Sequence, residues 1–214
     1  MTRSDSGAGP ASPLVGQFGP IDIYLFDQLL RGRIAPGMRV LDAGCGGGRN
    51  LVYLLREGFD VWGTDGDAAA VASVRDLAAR LAPSLPPDRF RVEPVEGLSF
   101  ADRSMDAVIS SAVLHFARDH AHFDAMIQQM WRVLAPGGVF FCRLASSIGM
   151  EDRMRPIGDG RFHLPDGSVR YLVDEARLVA LTTAFGGVLL DPIKTTIVQD
   201  QRCMTTWVVR KASG

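Results

Sequence analysis

The residues that decide the fold are Val40-Leu41-Asp42-Ala43-Gly44-Cys45-Gly46-Gly47-Gly48-Arg49-Asn50. An apolar run that leads into a glycine-rich loop is typical of a short buried strand followed by the start of a helix. Such a loop places backbone N–H groups and a helix N-terminus against a ligand. Gly44, Gly46 and Gly48 stand at alternate positions, which predicts a ligand in contact with bare backbone.

The sequence on both sides of this loop alternates between strand and helix patterns. We expect strands at 38–43, 59–64, 90–94, 106–111 and 137–144, and helices at 21–34, 48–57, 67–82, 119–134 and 174–184. Strands separated by helices form right-handed βαβ units, so the chain is predicted to be a doubly wound α/β protein. The final two strands, 187–198 and 202–210, are joined too closely for a helical crossover and are predicted to be antiparallel.

The length of 214 residues predicts a single domain over residues 14–214, preceded by a disordered tail at 1–13 that is rich in Ser, Gly, Ala and Pro. The strand–helix rhythm breaks at 145–173, where glycine and proline are frequent. We interpret 145–173 as an insertion or lid.

Charge and cysteine content restrict the partners and the compartment. The formal net charge of -1 provides no global basic field, so we expect neither a nucleic acid nor a membrane as partner. Cys45, Cys142 and Cys203 form neither a zinc pattern nor a disulfide framework, and the four histidines do not form a metal set. No apolar run approaches the roughly 20 residues that span a bilayer, and the first residues do not resemble a signal peptide. We therefore expect a cytoplasmic protein with reduced thiols and no metal.

Two common nucleotide-binding loops fit the glycine spacing poorly. In a dinucleotide site of the G-x-G-x-x-G type, the third glycine would fall on Arg49, where a long side chain opposes close packing of helix and strand. A P-loop needs a Gly-Lys-Ser/Thr ending, which is absent here. Asp65 ends the second predicted strand and faces the ligand crevice of such a sheet, where a carboxylate accepts hydrogen bonds from ribose hydroxyls. The alternative for Asp65 is a helix N-cap or turn residue.

These segments together resemble the class I S-adenosylmethionine-dependent methyltransferases. The stretch from Val40 to Gly48 is similar to the first motif of that family, and Asp65 to its acidic second motif. Residues 104–111 resemble the fourth-strand segment and 132–138 the turn into the fifth strand. The resemblance implies a Rossmann-like, seven-stranded, mostly parallel sheet with an antiparallel last strand and helices on both faces. Residues 48–54 further resemble the small tellurite-resistance and thiopurine-type methyltransferases.

The resemblance implies S-adenosylmethionine as cofactor and assigns roles along the chain. Asp42, with the backbone of Ala43, Gly44 and Cys45, would face the methionine end and the ribose, and Gly46 and Gly48 would permit close approach. Asp65 would hold the ribose hydroxyls. The other expected cofactor contacts are Asn50, Gly66 and Asp67, Ser111 on the methionine side, and Glu96 and Gly97 near the adenine amino group.

Methyl transfer is an in-line displacement from an already activated donor, so a general base is needed only when the acceptor must lose a proton. His115, after the fourth strand, is the candidate base or substrate contact, with a buried structural histidine as its alternative. Further candidates for acceptor contact are Tyr24, Arg143, His163 and Arg170, because an arginine at the rim of the crevice binds anions. His120 and His122 are expected on a solvated helix start.

The function predicted from the sequence is methyl transfer to a small-molecule acceptor by a monomer or homodimer. The alternatives are a non-catalytic module that binds S-adenosylmethionine and, less favoured because of Arg49, a nicotinamide-dependent oxidoreductase. The sequence does not identify the acceptor or the atom that receives the methyl group.

Overall fold

The computed structural model describes residues 12–213, and its centre is a sheet with five parallel strands at its core. These are β1 (Arg39–Ala43), β2 (Asp60–Asp65), β3 (Phe90–Val92), β4 (Met105–Ser111) and β5 (Leu134–Ala145). They lie in the order β3-β2-β1-β4-β5, so the chain reverses direction across the sheet between β1 and β4. In such sheets a ligand binds beyond the carboxyl ends of the strands at this reversal.

Helices cover both faces of the sheet. They are α1 (Pro13–Phe18), α2 (Ile23–Leu30), α3 (Val52–Arg56), α4 (Ala68–Leu81), α5 (His120–Val133) and α6 (Glu175–Ala184). Neighbouring residues of β1 point to opposite faces: Val40 packs in the core with α3 and α4, whereas Leu41 packs in the core with α5 and α6. Burial on both faces explains why the parallel strands are almost wholly apolar.

The insertion forms a second, smaller sheet beside the main one. Residues 145–173, predicted as an insertion or lid, contain β6 (Arg155–Gly158), β7 (Arg161–His163) and β8 (Val169–Tyr171), which pair antiparallel in that order. The Tyr171 ring stacks on Phe123 of α5, and its hydroxyl lies 2.8 Å from Nδ1 of His120. The insertion is thereby held beside the carboxyl ends of the main strands.

The remaining strands are β9 (Gly187–Leu189), β10 (Lys194–Val198) and β11 (Arg202–Lys211). β11 lies antiparallel between β5 and β10, which confirms the predicted antiparallel last strand. The strand expected at 187–198 is instead two short strands that both pair with β11. The break contains Pro192, which has no N–H for the ladder, and Asp191, whose carboxylate pairs with Arg33 at 2.6 Å.

Other boundaries differ from the prediction by a few residues. α3 begins at Val52 rather than at 48, because the chain from Gly46 to Asn50 is a series of turns. β5 begins at Leu134, so the Pro136-Gly137-Gly138 turn lies at its irregular start, where its register against β4 shifts. Of the predicted tail, Ser12 caps α1 and Pro13 begins it, while residues 1–11 lie outside the described residues. None of the helices in residues 12–213 has the length and hydropathy that crossing a bilayer requires.

Candidate active site

A cavity of ≈ 940 Å³ lies beyond the carboxyl ends of β1, β2 and β4. The loop after β1 forms its floor, and the strand ends and α5 form its walls. Its lining residues are Pro20, the loop Gly44–Asn50, Val52, Asp65, Gly66, Leu77, Val95, Ser111, Ala112, Val113, Phe116, His122 and Met126. The cavity is therefore at the position where a doubly wound sheet binds its ligand.

The three alternate glycines of the loop have different roles. A Cβ on Gly44 would lie 2.5 Å from a methyl group of Val113, and one on Gly48 would lie 2.7 Å from a methyl group of Val74. Both glycines thus permit close packing inside the protein. A Cβ on Gly46 would meet no atom within 4 Å. Only Gly46 leaves open space for a ligand, whereas we expected this role for Gly48 as well.

The backbone N–H groups of the loop are largely used inside the protein. The N–H groups of Gly44 and Cys45 both donate to the carbonyl oxygen of Thr64 at 2.8 Å, and that of Gly48 donates to the carbonyl of Cys45. The Cys45 side chain is buried, and its Sγ lies on the side of Gly63. The expectation that this loop directs a row of N–H groups at the ligand is therefore wrong for these residues.

Asp65 joins the loop to the end of β2. Its Oδ2 accepts from the N–H of Gly46 and its Oδ1 from the N–H of Asp67, both at 2.9 Å. The carboxylate remains half-buried at the cavity wall, where its other lone pairs can accept hydroxyl groups. Gly66 also lines the cavity, whereas Asp67 caps α4 by accepting from the N–H of Ala69.

Asp42 is a buried carboxylate beneath the loop. It is 1% exposed, and neither of its oxygens has a hydrogen-bond partner among residues 12–213. Burial raises the pKa of Asp42 to about 7, an effect that Arg49 opposes and Asp65 reinforces. A buried acceptor without a partner is costly, so a ligand that donates hydrogen bonds towards Asp42 would be stabilised there.

Comparison with known proteins finds a methyltransferase domain in the central part of the chain. Residues 41–142 match the model of a family described as a methyltransferase domain. The matched segment is just under half of the chain, and it is similar to S-adenosylmethionine-dependent methyltransferases. The cofactor that this similarity indicates is S-adenosylmethionine. The open face at Gly46 and the Asp65 carboxylate at the strand end fit the cofactor's hydroxyl groups. Asp42 is buried and is not among the residues that line the cavity.

Two curated relatives and one solved structure illustrate the similarity. An uncharacterized methyltransferase of Synechocystis is 35% identical over 107 residues, 50% of this chain and 47% of that protein. The ubiquinone biosynthesis O-methyltransferase of Chelativorans is 30% identical over 105 residues, 49% of this chain and 39% of that protein. The chain thus spans less than half the length of these relatives.

The solved structure is the 1,6-didemethyltoxoflavin-N1-methyltransferase of Burkholderia thailandensis, with bound 1,6-didemethyltoxoflavin and S-adenosylhomocysteine. It superposes with a TM-score of 0.68 at 19% identity and covers 94% of this chain and 81% of that one. At this identity the likeness shows the shared fold.

An ion-pair cluster ties the N-terminal part of the chain to the cavity. Asp22, with a fully buried carboxylate, lies 2.6 Å from Arg143 and 4.0 Å from Arg49. The N–H of Asp22 donates to Oδ1 of Asn50 at 3.0 Å, and Arg49 donates to Oγ of Ser111 at 3.1 Å. The sequence analysis missed Asp22, although its position before an apolar helix marks an N-cap. Asn50 and Ser111, predicted as cofactor contacts, line the cavity and also hold this cluster.

The predicted contact to the adenine amino group has a different arrangement. Oε1 of Glu96 lies 3.0 Å from Nε2 of His122, and neither Glu96 nor Gly97 lines the cavity. Val95 and His122 line the cavity instead. His122 was expected on a solvated helix start, but its side chain is only 11% exposed. His122 therefore stands between Glu96 and the ligand space.

His115, the candidate base, is buried and lines a neighbouring cavity rather than the cofactor cavity. Its Nδ1 accepts from the N–H of Ala145 at 3.1 Å, which places the proton of the neutral ring on Nε2. Burial, reinforced by the charge of Arg170, lowers the pKa of His115 to about 4. A neutral imidazole whose only basic nitrogen is already bonded cannot accept a proton, so the geometry opposes a base role.

The other predicted acceptor contacts divide into two groups. Arg143 and Arg170 line the neighbouring cavity of ≈ 260 Å³ together with His115. Tyr24 lies beneath the Arg143 guanidinium, 5.3 Å from it, and its hydroxyl is 2.7 Å from Oγ1 of Thr196. His163 is exposed on β7 and lines neither this cavity nor the cofactor cavity. Among residues 12–213, no three His, Cys, Asp or Glu side chains converge as metal ligands.

Proposed function

We propose that this protein transfers a methyl group from S-adenosylmethionine to a small-molecule acceptor. The observation that carries the proposal is the combination, in one cavity, of an unobstructed Gly46 backbone and the Asp65 carboxylate at the end of β2. In this proposal the Asp65 carboxylate accepts hydrogen bonds from the ribose hydroxyls. The Asp42 carboxylate, beneath the loop, accepts hydrogen bonds from donor groups near the methionine end. The Arg49 guanidinium, which lines the cavity beside Ser111, faces the methionine carboxylate.

When bound, the cofactor supplies a methyl group on a positively charged sulfur: a lone pair of the acceptor forms the new bond to the methyl carbon, and the electron pair of the broken carbon–sulfur bond stays on sulfur. The chain has to hold the acceptor in line and exclude water. The two histidines nearest this space do not offer a free basic nitrogen: Nδ1 of His115 accepts from Ala145, and Nδ1 of His122 accepts from Arg118. We therefore infer an acceptor whose nucleophilic atom reacts without a histidine base.

The nicotinamide alternative is disfavoured by the loop itself. A dinucleotide pyrophosphate needs free backbone N–H groups at the glycine loop. Here the N–H groups of Gly44, Cys45, Gly46 and Gly48 are bonded to protein oxygens, so within residues 12–213 only those of Gly47, Arg49 and Asn50 remain as donors of this loop. The positive sulfonium of S-adenosylmethionine has no such requirement.

A small acceptor is supported by the dimensions and charge of the chain. The space beside the cofactor cavity measures ≈ 260 Å³ and is walled by the insertion and the end strands. The net charge of -1 provides no extended basic field for a nucleic acid. Two of the related proteins, one named for ubiquinone biosynthesis and one for 1,6-didemethyltoxoflavin, have names that are consistent with a small acceptor.

The test is transfer of label from S-adenosylmethionine carrying a tritiated methyl group. We expect the purified chain to move tritium into the low-molecular-mass fraction of a cell extract. A chain with Gly46→Val, which fills the cofactor space, is the matched control and should transfer none. Label in protein or nucleic acid would contradict the small-molecule acceptor. Binding of S-adenosylhomocysteine without transfer to any fraction would favour the non-catalytic module.

A further inference from the structure

The neighbouring cavity, which we call the arginine cavity, adjoins the cofactor cavity through a shared residue. Ala112, directly after β4, lines both spaces and has a backbone φ of 65°, a conformation that costs energy for a residue other than glycine. The arginine cavity is closed by the insertion on one side and by the start of β11 on the other. The groups that decide its chemistry are His115, Arg143, Asp166, Arg170 and Arg202.

The charges in this cavity do not cancel. Arg143 is neutralised by the buried Asp22 at 2.6 Å, and His115 is uncharged because of its depressed pKa. Asp166 accepts from Oγ and the N–H of Ser168, which holds the pKa of this carboxyl below its usual range. Arg170 and Arg202 therefore provide two positive charges against the single negative charge of Asp166.

Both arginines keep donors available. Arg170 is half-buried and donates one bond, from an Nη to the carbonyl of its neighbour Val169. Arg202 is exposed at the start of β11. Neither forms an ion pair within 4.0 Å with any carboxylate in the part of the chain from 12 to 213. A guanidinium group binds a carboxylate through paired N–H donors, and two such groups line this pocket.

Arg170 also connects the two cavities. Its guanidinium carbon lies 4.9 Å from the centre of the Phe116 ring, and Phe116 lines the cofactor cavity. A flat ligand that spans from Arg170 past Phe116 and Ala112 would have its charged end in the arginine cavity and its other end in the cofactor cavity.

We propose that the methyl acceptor is a small carboxylic acid whose carboxylate is held by Arg170 and Arg202 while its nucleophilic atom faces the cofactor across Ala112. This inference rests on the proposed function and assigns its acceptor class. It replaces Arg143, the rim arginine expected from the sequence, with Arg202. Asp166 acts as a specificity residue in this arrangement, because its negative charge opposes acceptors with a second anionic group.

The test uses benzoate as probe and benzamide as its uncharged analogue, each titrated into the full chain saturated with S-adenosylhomocysteine and followed by calorimetry or ligand-observed NMR. We expect benzoate to bind at millimolar concentration or below and benzamide to bind at least roughly tenfold more weakly. Arg170→Gln and Arg202→Gln should each weaken benzoate binding roughly tenfold or more. Asp166→Asn should strengthen it severalfold.

Arg155→Gln is the matched control, because Arg155 is exposed on β6 of the same small sheet and lies outside the arginine cavity. It should leave benzoate binding unchanged. The inference is overturned if benzoate does not bind, if benzamide binds equally well, or if the two arginine variants retain the benzoate affinity of the native chain. S-adenosylhomocysteine titrated into the native chain and each variant separates the two claims. If the native chain binds S-adenosylhomocysteine but not benzoate, only the acceptor class is refuted. If it does not bind S-adenosylhomocysteine, the proposed function is refuted.

Discussion

Replacing Asp42 by Asn tests the energetic state of the buried carboxylate. Asp42 is 1% exposed, and both of its oxygens lack partners within residues 12–213. Burial raises its pKa from 3.8 to about 7, so the ionised form is disfavoured in the folded state. Asn has the same shape without the charge. We therefore expect Asp42→Asn to stabilise the fold at alkaline pH.

The magnitude follows from the pKa shift. A rise from 3.8 to about 7 corresponds to roughly 4 kcal/mol at about 1.4 kcal/mol per unit. Because the folded-state pKa is raised above the unfolded value, this group favours folding most below pH 4 and the contribution is lost as the pH rises through 7. The unpaired Asn amide costs about 1–3 kcal/mol, which leaves a net gain of about 1–3 kcal/mol at pH 8.

The assay is urea unfolding of both chains at pH 8 and pH 5. The gain from Asp42→Asn should shrink by roughly 2–3 kcal/mol between pH 8 and pH 5, since native Asp42 becomes protonated, and this difference is independent of the amide cost. The affinity for S-adenosylhomocysteine should fall in the same variant. Asp67→Asn, at an exposed helix cap, is the control. A stability difference that does not change with pH would refute the reasoning.

Further predictions concern the loop and His115. Gly48→Ala should lower the free energy of unfolding by several kcal/mol, because its Cβ would lie 2.7 Å from Val74 and 2.9 Å from Leu77, and urea unfolding measures this. A Cβ at Gly46 has open space, so Gly46→Ala should lower the free energy of unfolding by only about 1–2 kcal/mol, and calorimetry should show weaker binding of S-adenosylhomocysteine. Equal effects of the two changes on stability would contradict this assignment. The pKa of His115 is about 4 in the folded chain, against 6.5 for the free side chain, so the unfolded chain takes up the proton first as the pH falls. The free energy of unfolding of the native chain should therefore decrease by roughly 3 kcal/mol between pH 6.5 and pH 4. His115→Gln should remove that loss, and parallel stability–pH curves for the two chains would show that His115 is not held neutral.

The order of strands and helices was predictable because it depends on local patterns. Alternating apolar runs and glycine turns indicated the five parallel strands, and the short link before Arg202 indicated the antiparallel end. The boundaries were less predictable where tertiary contacts decide them. Asp191 pairs with Arg33, which is distant in sequence, and the strand breaks next to it at Pro192.

The cofactor site was predictable to the extent that one loop and one strand end form it. Gly46 and Asp65 could be assigned from the local sequence, since the carboxyl ends of parallel strands meet at the same edge of the sheet. Asp22 and Arg143 are 121 residues apart in the chain, and no local pattern connects them. Arg202 likewise enters the arginine cavity only because β11 lies beside β5.

The central claim, an S-adenosylmethionine site at the end of β1 and β2, is tested most directly by calorimetric titration of the purified chain with S-adenosylhomocysteine. We predict saturable binding to the native chain, at least roughly tenfold weaker binding to Asp65→Ala through loss of charge-assisted hydrogen bonds, and native affinity in Asp67→Ala. Absence of binding to the native chain, or equal affinity of the native chain and Asp65→Ala, would contradict the account.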